Sequence, residues 1–521
     1  MSDRRAQRAR NSARNAAMGI ISQGLTMLLA FAGRIVFVHT LGQEYLGISG
    51  WFSNILSVLS ISELGIGTAI VVSLYKPLAS GDEGRIRASM RLLRRAYFFV
   101  GLAVLGLGLI LLPFLPALVK QQSELVDLRV CYLLFLGQSV CSYWFCGYKT
   151  AIFTADQRQS RVHLVSCLIS VAQTALQIGA LVLLHNYYAY VAAFIVAAIA
   201  KNLLLARSAD REYPCLRHVN RLAPGEDDEA LLPKAEKRGI FRNLFGLSMY
   251  RMSGTILNAT DNLVLGKWIG FAVIAVYSNY TLITTALTTV FSLLFTSFTA
   301  SVGNLNVTDD SGRKAFVFRC LNLLDGWLYG FAAVSLLVLA DPFIALVFGP
   351  DWTFGGRWIV PIIALNFLTS GLLETTIMYK DACGLFWQGR WRPVCSAGLN
   401  VALSIWWVGP WGIEGVLAAT IVSRLLTTWW FDPWMVHHYA LHESCKGYFL
   451  QTLLVLAVSA ALGAGLLALR AAVVAKATIL SFIVLALLCL LLPNAVFWLL
   501  FHRKEEYRYL LAQLKKLRQR A

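Results

Sequence analysis

Charge is what this chain lacks most. Only 14% of its 521 residues are Asp, Glu, Lys or Arg, while 57% are hydrophobic, and a typical soluble domain carries about 25% charged residues. That shortage excludes a water-soluble globule, because too few polar side chains remain to cover so large an apolar mass. Acidic residues are the scarcer sign, 28 against 46 Lys and Arg, for a formal charge of +18. Cysteines are not rare, but no CxxC pair occurs. Cys131, Cys141, Cys146, Cys167, Cys320, Cys383, Cys395 and Cys489 lie in or beside apolar runs. They read as small core residues, not as a disulfide framework or a metal site. No P-loop, HExxH or triad-like motif is present, which argues against ATP hydrolysis and protease chemistry. The longest outer connection, roughly Pro113 to Arg129, offers no large external loop for a glycosyltransferase, polymerase or ligase, so the chain does not read as an enzyme.

What is present is a nearly continuous series of apolar runs. About 20 such residues make one helical crossing, and continuous rather than alternating runs mean helices rather than a barrel. The fold class is therefore all-α and polytopic, with about fourteen spans: 16–39, 46–75, 96–118, 129–152, 162–184, 187–206, 240–268, 272–303, 317–340, 358–380, 393–409, 412–436, 447–469 and 477–501. Ala30-Phe-Ala32 resembles a signal-peptidase site, but the run continues to Val38, so the first span is expected to stay. With the amino end inside, only Lys120, Arg129, Lys267, Arg357, Arg470 and Lys476 fall on the outer side. Arg34, Arg251 and Arg424 fall within spans, and the other 37 of the 46 basic residues are cytoplasmic. This bias places both termini in the cytoplasm and accounts for the positive charge without a nucleic-acid partner. The expected organisation is a basic amino end (1–15), a six-span lobe (16–206), a cytoplasmic linker (207–239), a second six-span lobe (240–438), two further spans (439–501) and a basic carboxyl helix (502–521) along the anionic inner leaflet.

The lobes echo each other. Laying Gly42 on Gly270, an offset of 228, brings Leu41-Gly42 onto Ile269-Gly270 and Ile35–Val38 onto Leu263–Gly266. Downstream, Leu78–Arg85 matches Leu305–Arg313 with a one-residue slip. Six spans separate the matched segments, so both repeats cross in the same sense, related by an axis along the membrane normal.

Charges at membrane depth cost about 2.5–3.5 kcal/mol each on insertion scales, so each one marks a pathway or a paired role. Arg34, Glu63, Arg251, Asp261 and Arg424 are the candidates for a substrate cavity; Asp325, Glu374 and Asp432 are candidates for coupling or gating. Arg34 is near enough to its span end to snorkel, whereas Arg251 and Arg424 are deep. The repeat sets Gly33-Arg34 opposite Asp261-Asn262, a cation where the other lobe has an anion. Either they form an interlobe pair that opens during transport, or they contact headgroup and coupling ion separately. His438 and His442 have metal-ligand spacing but lack a carboxylate set, and no metal is expected. The tryptophans near span ends read as an aromatic belt.

Arg34 with LGQEYLGISGWF at 41–52, ELGIGTAIVVSLYKPLASGD at 63–82, DNLVLGKWIG at 261–270 and VYSNY at 276–280, together with the span count, carry a resemblance. The chain resembles the polysaccharide transporter, or Wzx-like, flippases of the multidrug/oligosaccharidyl-lipid/polysaccharide superfamily. The resemblance implies two six-helix lobes around a cavity and transfer of undecaprenyl-diphosphate-linked glycan to the outer leaflet for surface polysaccharide such as O-antigen. The cavity-lining roles of Arg34, Glu63, Arg251 and Asp261 follow from it; Arg424 matches no family motif and rests on depth alone. Membrane lipid and other polysaccharide assembly proteins are the implied partners, and H⁺ or Na⁺ the alternative to membrane potential as drive. A lipid II flippase of the same superfamily and a drug/cation antiporter remain as alternatives.

Overall fold

A computed structural model describes residues 2–60, 66–120, 125–217, 219, 252, 254–257, 259–307, 311–355, 358–473 and 478–520, the side chains of 2–14 and a few others excepted. Glu63 and Arg251 lie outside these residues. The described elements are helices throughout, and ten are long and apolar enough to cross a membrane. The protein is a multi-pass all-α membrane protein. The ten helices absorb eleven of the fourteen expected spans, because 393–409 and 412–436 lie in one helical stretch, Arg392–Leu441. Inside it Gly412 breaks the helical backbone at φ 59°, ψ −135°. The expected span 129–152 is bent by 49° between Leu128–Trp144 and Gly147–Ala155, with Cys146 left-handed at the corner. The spans expected at 46–75 and 240–268 fall partly outside the described residues.

The chain divides into two compact units, Met1–Ile274 and Ala275–Ala521. Arg34 and Asp261 therefore belong to the same unit. In the first, Ser2–Thr40 packs along Gln159–Val182, which packs along Tyr187–Glu212, while Glu83–Leu111 packs on Leu128–Trp144. Three of these helices start at side chains that accept otherwise orphaned backbone N–H groups: Asp82 from Arg85, Asp127 from Arg129, and Asn186 from Ala189. Gly42 and Gly270, aligned by the sequence repeat, have φ 88° and 126°. Each ends one helix and begins the next, Gln43–Leu59 and Phe271–Val307, in backbone that a Cβ disfavours. Close to them Trp51 occupies the space beside Gly266, leaving no room for a Cβ there, and its ring meets Phe271 at 5.7 Å.

In the second unit Ser311–Phe348 is the central helix. Ile359–Gly371, Lys446–Val473 and Ile479–Phe501 pack against it. Small residues permit the approach: Gly371 fits against the Tyr329 ring and Gly330 against Phe497. The last two long helices bury Leu466, Leu485 and Cys489 against Val334 and Val338. Trp327 Nε1 donates to Asn494 Oδ1 at 2.7 Å. The carboxyl helix Glu505–Arg520 is anchored on the same central helix. Tyr507 stacks on Trp327 at 5.8 Å, Tyr509 meets Phe316 at 5.3 Å, and Glu506 faces Arg319 at 3.5 Å.

Candidate functional site

The intramembrane charges fall into three groups. Asp261 is buried, 6% exposed, in the helical residues 259–268 that precede Gly270. Arg34 is half-buried, within electrostatic reach of Tyr190 on the helix Tyr187–Glu212.

A second group surrounds a break in a span. Ile359–Gly371 and Glu374–Cys383 are consecutive helices of one crossing, interrupted at Leu372-Leu373. A break frees backbone groups that lipid cannot satisfy. Here Asp325, fully buried, accepts from Thr375 N at 3.1 Å, and Tyr448 donates to Leu372 O at 3.0 Å. Asp325 thus places a carboxylate at the start of the second half-helix, where the positive end of the dipole favours it. Its other oxygen, Oδ1, has no hydrogen-bond partner among the described residues. Glu374 adjoins it electrostatically and hydrogen-bonds to Ser292. Arg424 braces the other half: its Nη1 donates to Asn366 O at 3.0 Å, Asn366 Oδ1 at 2.7 Å and Thr369 Oγ1 at 3.2 Å. One guanidinium so fastens Arg392–Leu426 to Ile359–Gly371.

The third group was only half visible in the sequence. Asp432 Oδ2, in a fully buried side chain, accepts from Arg392 Nη2 at 2.8 Å and faces Lys380 Nζ at 3.5 Å. Arg392 Nη1 also donates to Thr428 Oγ1 at 2.9 Å. The first unit repeats the device. Lys149, 7% exposed, donates to both oxygens of Asp210, at 2.5 and 2.7 Å, and Arg161 meets Glu212 at 2.9 Å. Arg158 joins this cluster through Glu212 and Asp156, each at 2.9 Å. Tyr213 donates to Asp156 at 2.5 Å; burial first, then this bond, push its phenol well above the ordinary value. Lys149 and Arg161 are 12 residues apart, as are Lys380 and Arg392. In each unit a lysine ending one crossing and an arginine starting the next face carboxylates near the end of a later helix. That shared spacing was the signal in the sequence for Lys149, Asp210, Lys380 and Arg392, none of which depth alone singled out.

The histidines have ordinary surroundings. His437 Nδ1 donates to Pro433 O at 2.8 Å, and His438 stacks on Trp434 at 5.3 Å.

Against solved structures, the chain aligns almost end to end with membrane transporters. A structure of the lipid II flippase MurJ in an inward closed conformation matches with a TM-score of 0.63 at 14% identity, covering 93% of this chain and 98% of that one. The chain has the fold of these transporters. An inward-facing multidrug resistance MATE family transporter of the MOP superfamily matches with a TM-score of 0.60 at 13% identity, covering 86% of this chain and 98% of the other. An outward-facing one gives 0.56 at 12% identity over 83% and 96%. No family model and no curated protein sequence matches. The fold is thus shared where sequence similarity has faded, and the neighbours of known structure are transporters and a flippase, not enzymes.

Proposed function

We propose that this chain is a flippase for a lipid-linked oligosaccharide, moving a polyprenyl-diphosphate glycan from the inner to the outer leaflet of a bacterial cytoplasmic membrane by alternating access. The observation that carries the reading is the 93% coverage by the fold of a lipid II flippase. Drug-transporter structures cover 86% and 83% of the chain. The difference runs in the direction expected of a chain with further helices, such as Lys446–Val473 and Ile479–Phe501.

In this reading Arg34 and Arg251 contact the diphosphate, because a guanidinium offers a planar fork that matches phosphate oxygens and keeps its charge. Glu63 and Asp261 are assigned to the same role, and Arg424 to holding the broken helix of its own unit in shape. Asp325 and Glu374, at that break, are assigned to coupling or gating, with H⁺ or Na⁺ as the coupling ion. Each negative charge carried outward gains about 2.3 kcal/mol per 100 mV of an interior-negative potential, so voltage favours the same direction. Both termini are assigned to the cytoplasm on the distribution of basic residues.

Transfer of the peptidoglycan precursor is the second reading, favoured by the substrate of the lipid II flippase itself. Deleting the gene separates the two. Loss of surface polysaccharide with intact growth supports the glycan reading; lysis with surface polysaccharide retained supports the peptidoglycan reading; unchanged surface and growth would overturn both.

A further inference from the structure

We propose that the second unit holds a binding site for a zwitterionic phospholipid bearing a primary ammonium, of the phosphatidylethanolamine kind. The site is a cavity of about 380 Å³ at the starts of Ser311–Phe348 and Lys446–Val473, closed by the turn His437–Leu441 and by the turn that leads into Glu505–Arg520. All its lining residues belong to the second unit, apart from Arg34 and Asp261.

Helix packing opens the cavity. Ser311–Phe348 and Lys446–Val473 touch at Gly326, where an added Cβ would lie 3.0 Å from Val455 Cγ2. One turn nearer the helix starts stand Asn322 and Gln451, and both line the cavity instead of closing it. Asn322 is 7% exposed, and neither its amide nor Gln451 Nε2 has a hydrogen-bond partner among the described residues. A buried polar group left so costs about 1–3 kcal/mol, and a ligand with acceptor oxygens removes that cost.

The mouth carries both signs of charge. Arg319 Nη1 donates to Glu443 Oε2 at 3.0 Å, and its Nε faces Glu506 Oε1 at 3.5 Å. Lys504 Nζ lies over the Phe501 ring at 5.1 Å. Counting Lys, Arg, Asp and Glu, the lining thus holds two cations and two carboxylates. Such a balanced mouth offers an anion little, whereas a zwitterion meets both signs, its phosphate beside Arg319 and Lys504 and its ammonium beside Glu443 and Glu506. A primary ammonium donates hydrogen bonds to those carboxylates; a quaternary one has none to donate. The ester carbonyls of the same lipid, one step farther in, fall level with the two amides. Leu450 and Leu454 line the cavity while 72% and 40% exposed, and Leu453 beside them is 54% exposed, so the acyl chains have an apolar path along Lys446–Val473. Orientation by basic residues requires neither carboxylates at the mouth nor an unpartnered amide on the floor.

A binding measurement tests the site independently of the transport reading. The full chain is reconstituted in nanodiscs of equal parts dioleoyl phosphatidylethanolamine, phosphatidylcholine and phosphatidylglycerol, with no polyprenyl lipid. Lipid retained after detergent extraction is counted by native mass spectrometry. The parent should retain phosphatidylethanolamine over each of the others by about tenfold, equivalent to about 1.4 kcal/mol. Asn322→Leu, which replaces the unpartnered amide by a side chain of similar size, should remove most of that preference and leave the melting temperature of the lipid-free protein unchanged or raised. Glu443→Gln/Glu506→Gln should shift retention from phosphatidylethanolamine to phosphatidylglycerol, because the mouth then carries net positive charge. Glu505→Gln, at an exposed position outside the cavity, should leave the order unchanged. Equal retention of phosphatidylcholine and phosphatidylethanolamine by the parent, or a parental preference for phosphatidylglycerol, would overturn the proposal. So would parental retention by Asn322→Leu, or a shift with Glu505→Gln as large as that of the double variant.

Discussion

Asp432 is the residue on which the second unit's charge cluster turns. Two cations, Arg392 and Lys380, face one carboxylate that is fully buried. Burying a matched set is nearly neutral in energy, but removing one partner leaves uncompensated charge, at a cost of about 3–5 kcal/mol. Asp432→Asn should therefore lower the melting temperature in detergent more than Lys380→Met, because the first removes the carboxylate that both cations face and the second leaves the shorter Arg392 contact in place. Equal shifts would show that the carboxylate is not shared. The sequence exposed Asp432 through the improbability of a carboxylate at that depth, but it hid Lys380 and Lys149, because a lysine at a span end reads as topology. Only the pairing distance shows that these two amines are buried and engaged.

Among the elements, the helix breaks carry the design. Gly42 and Gly270 were legible as an aligned pair, and their backbone supplies the reason: both occupy a positive-φ conformation at the junction of two helices. No heavy atom lies within 4 Å of an added Cβ at either position. The penalty of substitution is therefore conformational, of order 1–3 kcal/mol. Gly270→Ala should destabilise by that amount, whereas Gly106→Ala, with equally open space inside Glu83–Leu111, should be neutral or gain about 0.5–1 kcal/mol. Thermal melting of the two variants decides it, and equal effects would remove the argument. The break at Leu372-Leu373 and the corner at Cys146 were not legible, because hydropathy averages over a window longer than a two-residue interruption. What signals such a break is a partner elsewhere, Asp325 or Tyr448, taking up the freed backbone group.

For the whole molecule, composition and run length were enough for the class, an all-α multi-pass membrane protein, since fourteen apolar stretches leave no other arrangement for the backbone's hydrogen bonds. The division into compact units was less legible. The expected linker at 207–239 falls largely outside the described residues, and Trp51 packs against Gly266 and Phe271 within the unit Met1–Ile274. Sequence comparison alone was silent, and at 13–14% identity the likeness survives only as fold. The proposed transfer of a diphosphate-linked glycan across the bilayer is tested by exposing the lipid-linked glycan to a membrane-impermeant glycan-cleaving enzyme outside spheroplasts, with the protein present, absent, or carrying Arg34→Ala at equal protein level. Cleavage is expected with the parent, and accumulation of protected, inward-facing glycan both without the protein and with the variant. Equal cleavage in its presence and absence would contradict the function, and parental cleavage by Arg34→Ala would remove that residue from the path.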